Sequence, residues 1–388
     1  MSDSCKTAIL SLSLSVSLSS SLVCASQNMY LKYIMTTNIS ILPDKIFNVG
    51  VNPANIAITP NGKYGYVANS NNYSIPGSDS VTILDLKKGI SMLTIHDNSF
   101  VEPYRIAIDS GGKFAYVCNS GSPATVLEPG TVSVIHIKSN RVIALIEGFD
   151  GPGGIVITEN IAYVTNYGAP GGLTSGNGKT VSVIDLTTRK IINTIVVDLA
   201  PAALALSPHE NFLYVISYVD GTIGSGTLNI ISTRTNTIIN RITGFFGPFD
   251  IAITKDGRFA YVTNFGSNDF APYGTTVSVV DLMMNSIINN IQLGIQPSGI
   301  AISNDFAYVS NYNTLYAKAN FQNLTPGEGT INVVCLKCQK VIGPTISVGQ
   351  SPSTITLSPD NNKLYVCKYV QNTVYEFSLP ELQKKYCL

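Results

Sequence analysis

The chain is poor in the residues that most hydrolytic and metal-dependent chemistry uses. It has three histidines in 388 residues, His96, His136 and His209, far apart along the chain. A Ser-His-Asp triad or a histidine-rich metal site has little material, so no catalytic residue, metal or cofactor is expected. Charge is scarce as well: Asp, Glu, Lys and Arg make up 12% of the chain, and 24 acidic residues balance 24 basic ones. That is about half the usual charged share. Nucleic-acid binding needs a basic footprint to displace counterions from phosphates, so that class is excluded. Beyond the N-terminal segment no run is apolar enough to cross a membrane, and none sustains the 3.6-residue apolar period of a helix. Transmembrane and helical-repeat architectures drop out together.

What the sequence does contain is one unit written seven times. A proline, an apolar triplet, a turn and then Tyr-Val recur as "PANIAITPNGKYGYVAN" from Pro53, "PYRIAIDSGGKFAYVCN" from Pro103 and "PGGIVITENIAYVTN" from Pro152. They continue as "PAALALSPHENFLYVIS" from Pro201, "PFDIAITKDGRFAYVTN" from Pro248, "PSGIAISNDFAYVSN" from Pro297 and "PSTITLSPDNNKLYVCK" from Pro352. The prolines are 50, 49, 49, 47, 49 and 55 residues apart. Each unit reads as four strands, exemplified by "IAIT" (a), "FAYVTN" (b), "TVSVVDL" at 276–282 (c) and "SIINNIQL" at 286–293 (d). Their Val, Ile, Thr and Tyr content suits pleated, packed surfaces, and the a–b connections carry Asp-Gly, Asn-Gly or Pro-Asp turn chemistry. Four strands repeated about every 50 residues predict an all-β, seven-bladed β-propeller of four-stranded antiparallel blades, one domain over 45–388.

The blade count also predicts the closure. After the seventh c strand, "NTVYEFS" at 372–378, only "LPELQKKYCL" remains, whereas "KIFNVG" at 45–50 precedes the first proline where a d strand belongs. The N-terminal strand is therefore expected to complete the last blade and remove an open sheet edge. One segment invites a competing reading. "GNGKT" at 176–180 suggests a phosphate loop, but Leu173 stands where the first glycine belongs, and "TVSVIDL" after Lys179 is a strand. Without a helix N-terminus the motif loses its mechanism, and a turn between strands remains.

The quartets themselves carry a family likeness: "YVTN" at 163–166 and 261–264, "YVAN" at 66, "YVCN" at 116 and "YVSN" at 308, with "YVIS" at 214 and "YVCK" at 365 departing. Over 45–378 the chain resembles the YVTN family of β-propeller repeat proteins. The resemblance implies an exported or cell-surface protein, since relatives include archaeal surface-layer and bacterial surface proteins. The chain is also broadly similar to seven-bladed lactonase propellers, whose sites sit at the channel mouth.

Residues 1–26 differ from the rest: Lys6, a Leu/Ile/Val/Ser segment and then Val23-Cys24-Ala25 read as a secretory signal, with 27–44 as a leader. The same alternation fits a strand or a tail, and Met29 and Met35 are alternative starts. Leu22-Val23 is a poor match to a lipobox. Removal of the signal leaves Cys118, Cys335, Cys338, Cys367 and Cys387, an odd number. Cys118 and Cys367 are expected as core thiols in different blades, and Cys387 is expected to reach Cys338 as a disulfide. Cys335-Leu-Lys-Cys338 itself looks like a redox or zinc half-site with no second pair. Asp85, Asp185 and Asp281 recur at the end of strand c, as turn caps do, and the Asn of "YVTN" is read structurally for the same reason.

Candidate binding residues come from blade geometry. The d–a and b–c connections emerge at one face, and the longest b–c loop, 312–329, carries Tyr312, Tyr316 and Phe321. The residues after each proline are mostly small, except Asn55, Tyr104, Arg105, Phe249 and Asp250. With blades 2 and 5 across the ring, Arg105 and Asp250 would set opposite charges around an uncharged funnel suited to a small polar ligand. The leading expectation is a monomeric, exported binding module for a protein or a small polar or glycan ligand. A lactonase-like hydrolase and a structural envelope protein are the alternatives.

Overall fold

Each repeat proline opens the innermost strand of a blade. In the computed structural model, which describes residues 38–40, 42–70, 78–121, 130–168, 178–267, 273–316 and 324–386, strand a of every blade touches strand a of the next. Pro352–Leu357 touches Pro53–Ile58, so the ring is complete. Blade 5 shows the pattern: Pro248–Ile253, Phe259–Gly266, Tyr273–Asp281 and Ser286–Gln292 pair in that order, all antiparallel. Six other sheets repeat it, giving the seven-bladed propeller the spacing predicts.

Closure follows the expectation too. Lys45–Asn48 pairs antiparallel with Thr373–Ser378, placing Phe47 opposite Val374, and Phe47 is 1% exposed. Around this seam Glu376, buried at 2%, lies 3.3 Å from Lys45 Nζ and 2.5 Å from Lys363 Nζ. One lysine comes from each end of the chain, so the carboxylate clasps the ring shut. Along the axis the Ser353, Thr354 and Thr356 hydroxyls donate to the carbonyls of Pro53, Ala54 and Ile56 at 2.8–3.1 Å. Asn38–Ser40, which the sequence reading puts in a leader, instead runs parallel to Lys340–Gln350 as a fifth strand on blade 6. A short helix, Leu379–Tyr386, ends the described chain.

The consensus residues have distinct duties. The tyrosine of Tyr-Val is buried between blades, where its hydroxyl needs a partner. Tyr66 donates to Asn140 Oδ1 at 2.6 Å, Tyr163 to Asn236 Oδ1 at 3.3 Å and Tyr261 to the Leu336 carbonyl at 3.2 Å. Each bond ties a blade to the c–d turn of its neighbour. The terminal Asn works within its blade: Asn69, Asn119, Asn166, Asn264 and Asn311 direct Nδ2 at two c-strand side chains at 2.8–3.2 Å. Asp85, Asp185 and Asp281 cap the c–d turns, as their recurrence implies. Cys118 and Cys367 are buried free thiols. Cys338 is bonded to Cys335 across its turn, not to the tail, and Cys387 lies outside the described residues.

Candidate binding mouth of the propeller

The mouth is built by one backbone bond made seven times. The residue before each repeat proline is left-handed, with φ between 46° and 58°, at Asn52, Glu102, Gly151, Ala200, Gly247, Gln296 and Ser351. Its carbonyl accepts the N–H of the residue just after the quartet: Ser70, Ser120, Tyr167, Tyr218, Phe265, Tyr312 and Tyr369, at 2.9–3.1 Å. The d–a turn thereby pins one side chain per blade at the rim. Left-handed backbone costs energy at a non-glycine residue, and proline just after it confines the chain further, so this turn is a rigid anchor.

The pinned column divides the rim into two sectors. Blades 3 to 7 supply five consecutive aromatics, and part of them form a continuous stack. Phe249 lies on Phe265 with centroids 5.1 Å apart, Phe265 meets Tyr312 at 6.3 Å, and Tyr312 meets Tyr369 edge-on at 6.5 Å. The Tyr218 hydroxyl reaches into blade 5 to donate to the Gly266 carbonyl at 3.0 Å. Burial pushes the Tyr369 phenol up, with Tyr312, Glu102 and Tyr104 acting in the same direction. Blades 1 and 2 supply serines. Ser70 donates to the carboxylate of Glu102, which is 6% exposed, and Ser120 donates to the Pro152 carbonyl at 3.3 Å.

Arg105 and Asp250 do not stand apart on a funnel rim; they meet across the axis. Arg105 Nη2 lies 3.9 Å from Asp250 Oδ1, and the two side chains are 13% and 15% exposed. Burial pushes the Asp250 carboxyl up from the usual range, opposed by the guanidinium and by the Ile300 and Ile251 N–H groups that bond it at 3.3 and 3.0 Å. The guanidinium also sits 5.8 Å from the Tyr104 ring centroid. A blade-2 and a blade-5 side chain thus form a bar across the bore, joining the polar sector to the aromatic one. Asn55 has a different duty from the one expected: 8% exposed, it accepts the Ile106 N–H at 3.1 Å and ties blade 1 to blade 2.

Of the predicted site residues, the fold brings together Tyr104, Arg105, Phe249, Asp250 and Tyr312. Tyr316 ends the short strand Thr314–Tyr316, which pairs with Leu324–Pro326, and Phe321 lies outside the described residues. Sequence reasoning missed Tyr167, Tyr218, Phe265, Tyr369 and Glu102. The signal for the four aromatics was present as a column immediately after the quartet, whereas Glu102 stands just before Pro103 in the d–a turn. His96, His136 and His209 sit in blades 1, 2 and 4, and no metal-binding cluster of His, Cys, Asp or Glu occurs among the described residues. No helix among them is long and apolar enough to cross a membrane.

No protein-family model matches the chain, and no curated protein matches it. Among solved structures it is similar to hydrazine synthase of Kuenenia stuttgartiensis, at 19% identity and a TM-score of 0.68 over 89% of this chain and 99% of that one. At that identity the likeness speaks to architecture alone, and it agrees with the strand pairing: the chain is a seven-bladed β-propeller.

Proposed function

We propose that the protein is an exported binding module of the YVTN type, acting at the cell surface or in the envelope and taking its ligand at the two-sector mouth. The propeller fold fits a binding or interaction role, and one observation carries the reading further. A backbone bond repeated in all seven blades holds five successive aromatics on one arc and a serine–glutamate pair on the other, with Arg105 and Asp250 between them. Aromatic side chains on a rigid frame supply contact area at small entropic cost, and a few placed polar groups orient what lands on them. A protein segment or a small polar or glycan ligand meets both demands. Residues 1–26 are the secretory signal in this reading.

The test is binding by the chain from residue 27 onward, against immobilised glycans and against lysate and secreted material from the source and its host. The comparison is with Tyr312→Ala and with the double variant Arg105→Ala/Asp250→Ala. A ligand held by the wild type and lost from both variants, with melting temperatures unchanged, is expected. A ligand that both variants hold as tightly as wild type would place binding elsewhere.

A further inference from the structure

On the face opposite the mouth, six c–d turns share one backbone shape. Gly89, Asn140, Arg189, Asn236, Asn285 and Gln339 occupy the same turn position with φ between 50° and 73°. In blades 1, 3 and 5 the turn opens with Asp85, Asp185 and Asp281, whose carboxylates accept N–H groups of Lys88, Thr188 and Met284 at 2.7–3.0 Å. Those backbone bonds hold the three carboxyls below the usual range. The turn therefore stabilises negative charge on its first side chain.

In blade 6 that first side chain is Cys335. The N–H of Cys338, again three residues on, points at Cys335 Sγ from 3.1 Å, and the two sulfurs are bonded. Cys335 is partly buried, whereas Cys338 is exposed. The remaining thiols in the described chain behave oppositely: Cys118 and Cys367 are buried, and burial pushes the Cys367 thiol up to about 12. A thiolate at position 335 would receive the donor that the three aspartates receive.

We propose that Cys335–Cys338 is a thiol–disulfide exchange site that oxidises an external dithiol. A thiolate of the dithiol attacks the accessible Sγ of Cys338. A sulfur–sulfur bond forms there, the Cys335–Cys338 bond breaks, and its electron pair leaves on Cys335 Sγ, where the turn N–H receives it. A leaving thiolate of lower pKa departs faster, so the cap position sets the direction of cleavage. The second thiolate of the dithiol then attacks its own sulfur in the mixed disulfide and releases Cys338 as a thiolate that takes a proton from water. The dithiol loses two electrons and the protein pair gains them. This face is remote from the mouth, so the proposal stands apart from any ligand bound there.

The oxidised full-length chain is treated with dithiothreitol in native buffer, quenched with iodoacetamide and read by peptide-resolved mass spectrometry. Cys335 and Cys338 are expected to become fully labelled while Cys118 and Cys367 stay unlabelled. In Cys338→Ser the alkylation midpoint of Cys335 is expected about one pH unit or more below the ordinary value near 8.5, and in Cys335→Ser that of Cys338 stays close to it. Serine at 335 keeps a turn acceptor, so the second variant also controls for folding. The proposal is overturned if the pair opens only when Cys118 and Cys367 label as well, or if the Cys335 midpoint equals or exceeds that of Cys338.

Discussion

Blades 5 and 7 carry different side chains at the end of strand b, and only the one in blade 5 bonds strand c. In blade 5 Asn264 spans the gap to Thr276 and Ser278 at 2.9 and 2.8 Å, and its Oδ1 accepts the Phe246 N–H at 3.2 Å. In blade 7 that place holds Lys368, fully buried, its Nζ without a hydrogen-bond partner and 5.8 Å from the Tyr375 ring centroid. Thr373, one of the two c-strand residues it faces, keeps its hydroxyl unpaired. Blade 4 takes a third route: Ser217 is too short, and Asp198 supplies the contact instead, accepting from Thr227, Asn229 and Arg241 at 2.7–2.9 Å. The repeat thus specifies a contact between strands b and c, and it tolerates its loss where another bond holds the blade. In blade 7 that bond is the seam, where Glu376 sits between Lys45 and Lys363.

The largest expected effect tests the seam. Deleting residues 42–50 removes the d strand of blade 7 and the buried Phe47. Loss of a buried Phe side chain alone costs about 3–5 kcal/mol, and the bared edge invites pairing between chains. A much lower melting temperature with dimers or larger species in light scattering is expected; an unchanged, monomeric melt would refute the closure. Next, Asn264→Ala takes the amide donor from the Thr276 and Ser278 hydroxyls and the acceptor from the Phe246 N–H, leaving Ser278 only its bond to Asn290 Oδ1 at 2.7 Å. The loss should be about 1–3 kcal/mol in urea unfolding, and an effect within about 0.5 kcal/mol would show the amide to be dispensable there as well.

Lys368→Met should move the other way. Burial pulls the Lys368 amine from 10.5 down to about 7. The unfolded chain therefore binds more protons between about pH 7 and 10.5, and wild-type stability attributable to this group rises with pH across that window. The variant should be more stable than wild type by about 1–3 kcal/mol below pH 7, with the gap closing toward pH 10. A gap independent of pH would mean that the amine is not desolvated. The smallest effect belongs to blade 4. Burial acts to raise the Asp198 carboxyl, but Arg241, Thr227 and Asn229 together hold it below the usual range. Its contribution is present above the ordinary carboxylate pKa and disappears as pH falls through the lowered value. Asp198 is part-exposed and its partner Arg241 more so, and solvent screening limits the loss in Asp198→Ala to roughly 1 kcal/mol or less at pH 7. Urea titrations at pH 7 and pH 3 check it, and an equal loss at both would assign the effect to packing.

The blades were legible because each carries its own punctuation. A proline at the first residue of strand a, Tyr-Val in strand b and an aspartate or its substitute at the c–d turn recur at fixed offsets, and local patterns of this kind follow from backbone preference and side-chain alternation. The mouth was only half legible. Arg105 and Asp250 stood out as charges among small residues, yet their meeting at 3.9 Å depends on the radius of a closed ring. Asn55 looked like a rim residue and is an interblade bond, because a strand-a side chain can turn toward the axis or toward the neighbouring blade. The aromatic column stood in the sequence at a constant position; what selected it was the left-handed pre-proline carbonyl, a bond that joins the start of strand a to the end of strand b at the mouth.

Sequence alone determined the number of blades, the order of their strands and the need for an N-terminal strand to fill the last one, since these follow from periodicity and counting. Tertiary structure decided which side chains share the mouth, that a charged pair bars the bore, and that one blade buries a lysine where five of its siblings have an amide. Those outcomes depend on distances between residues scores to hundreds of positions apart, and only closure of the ring brings such residues within a few ångströms.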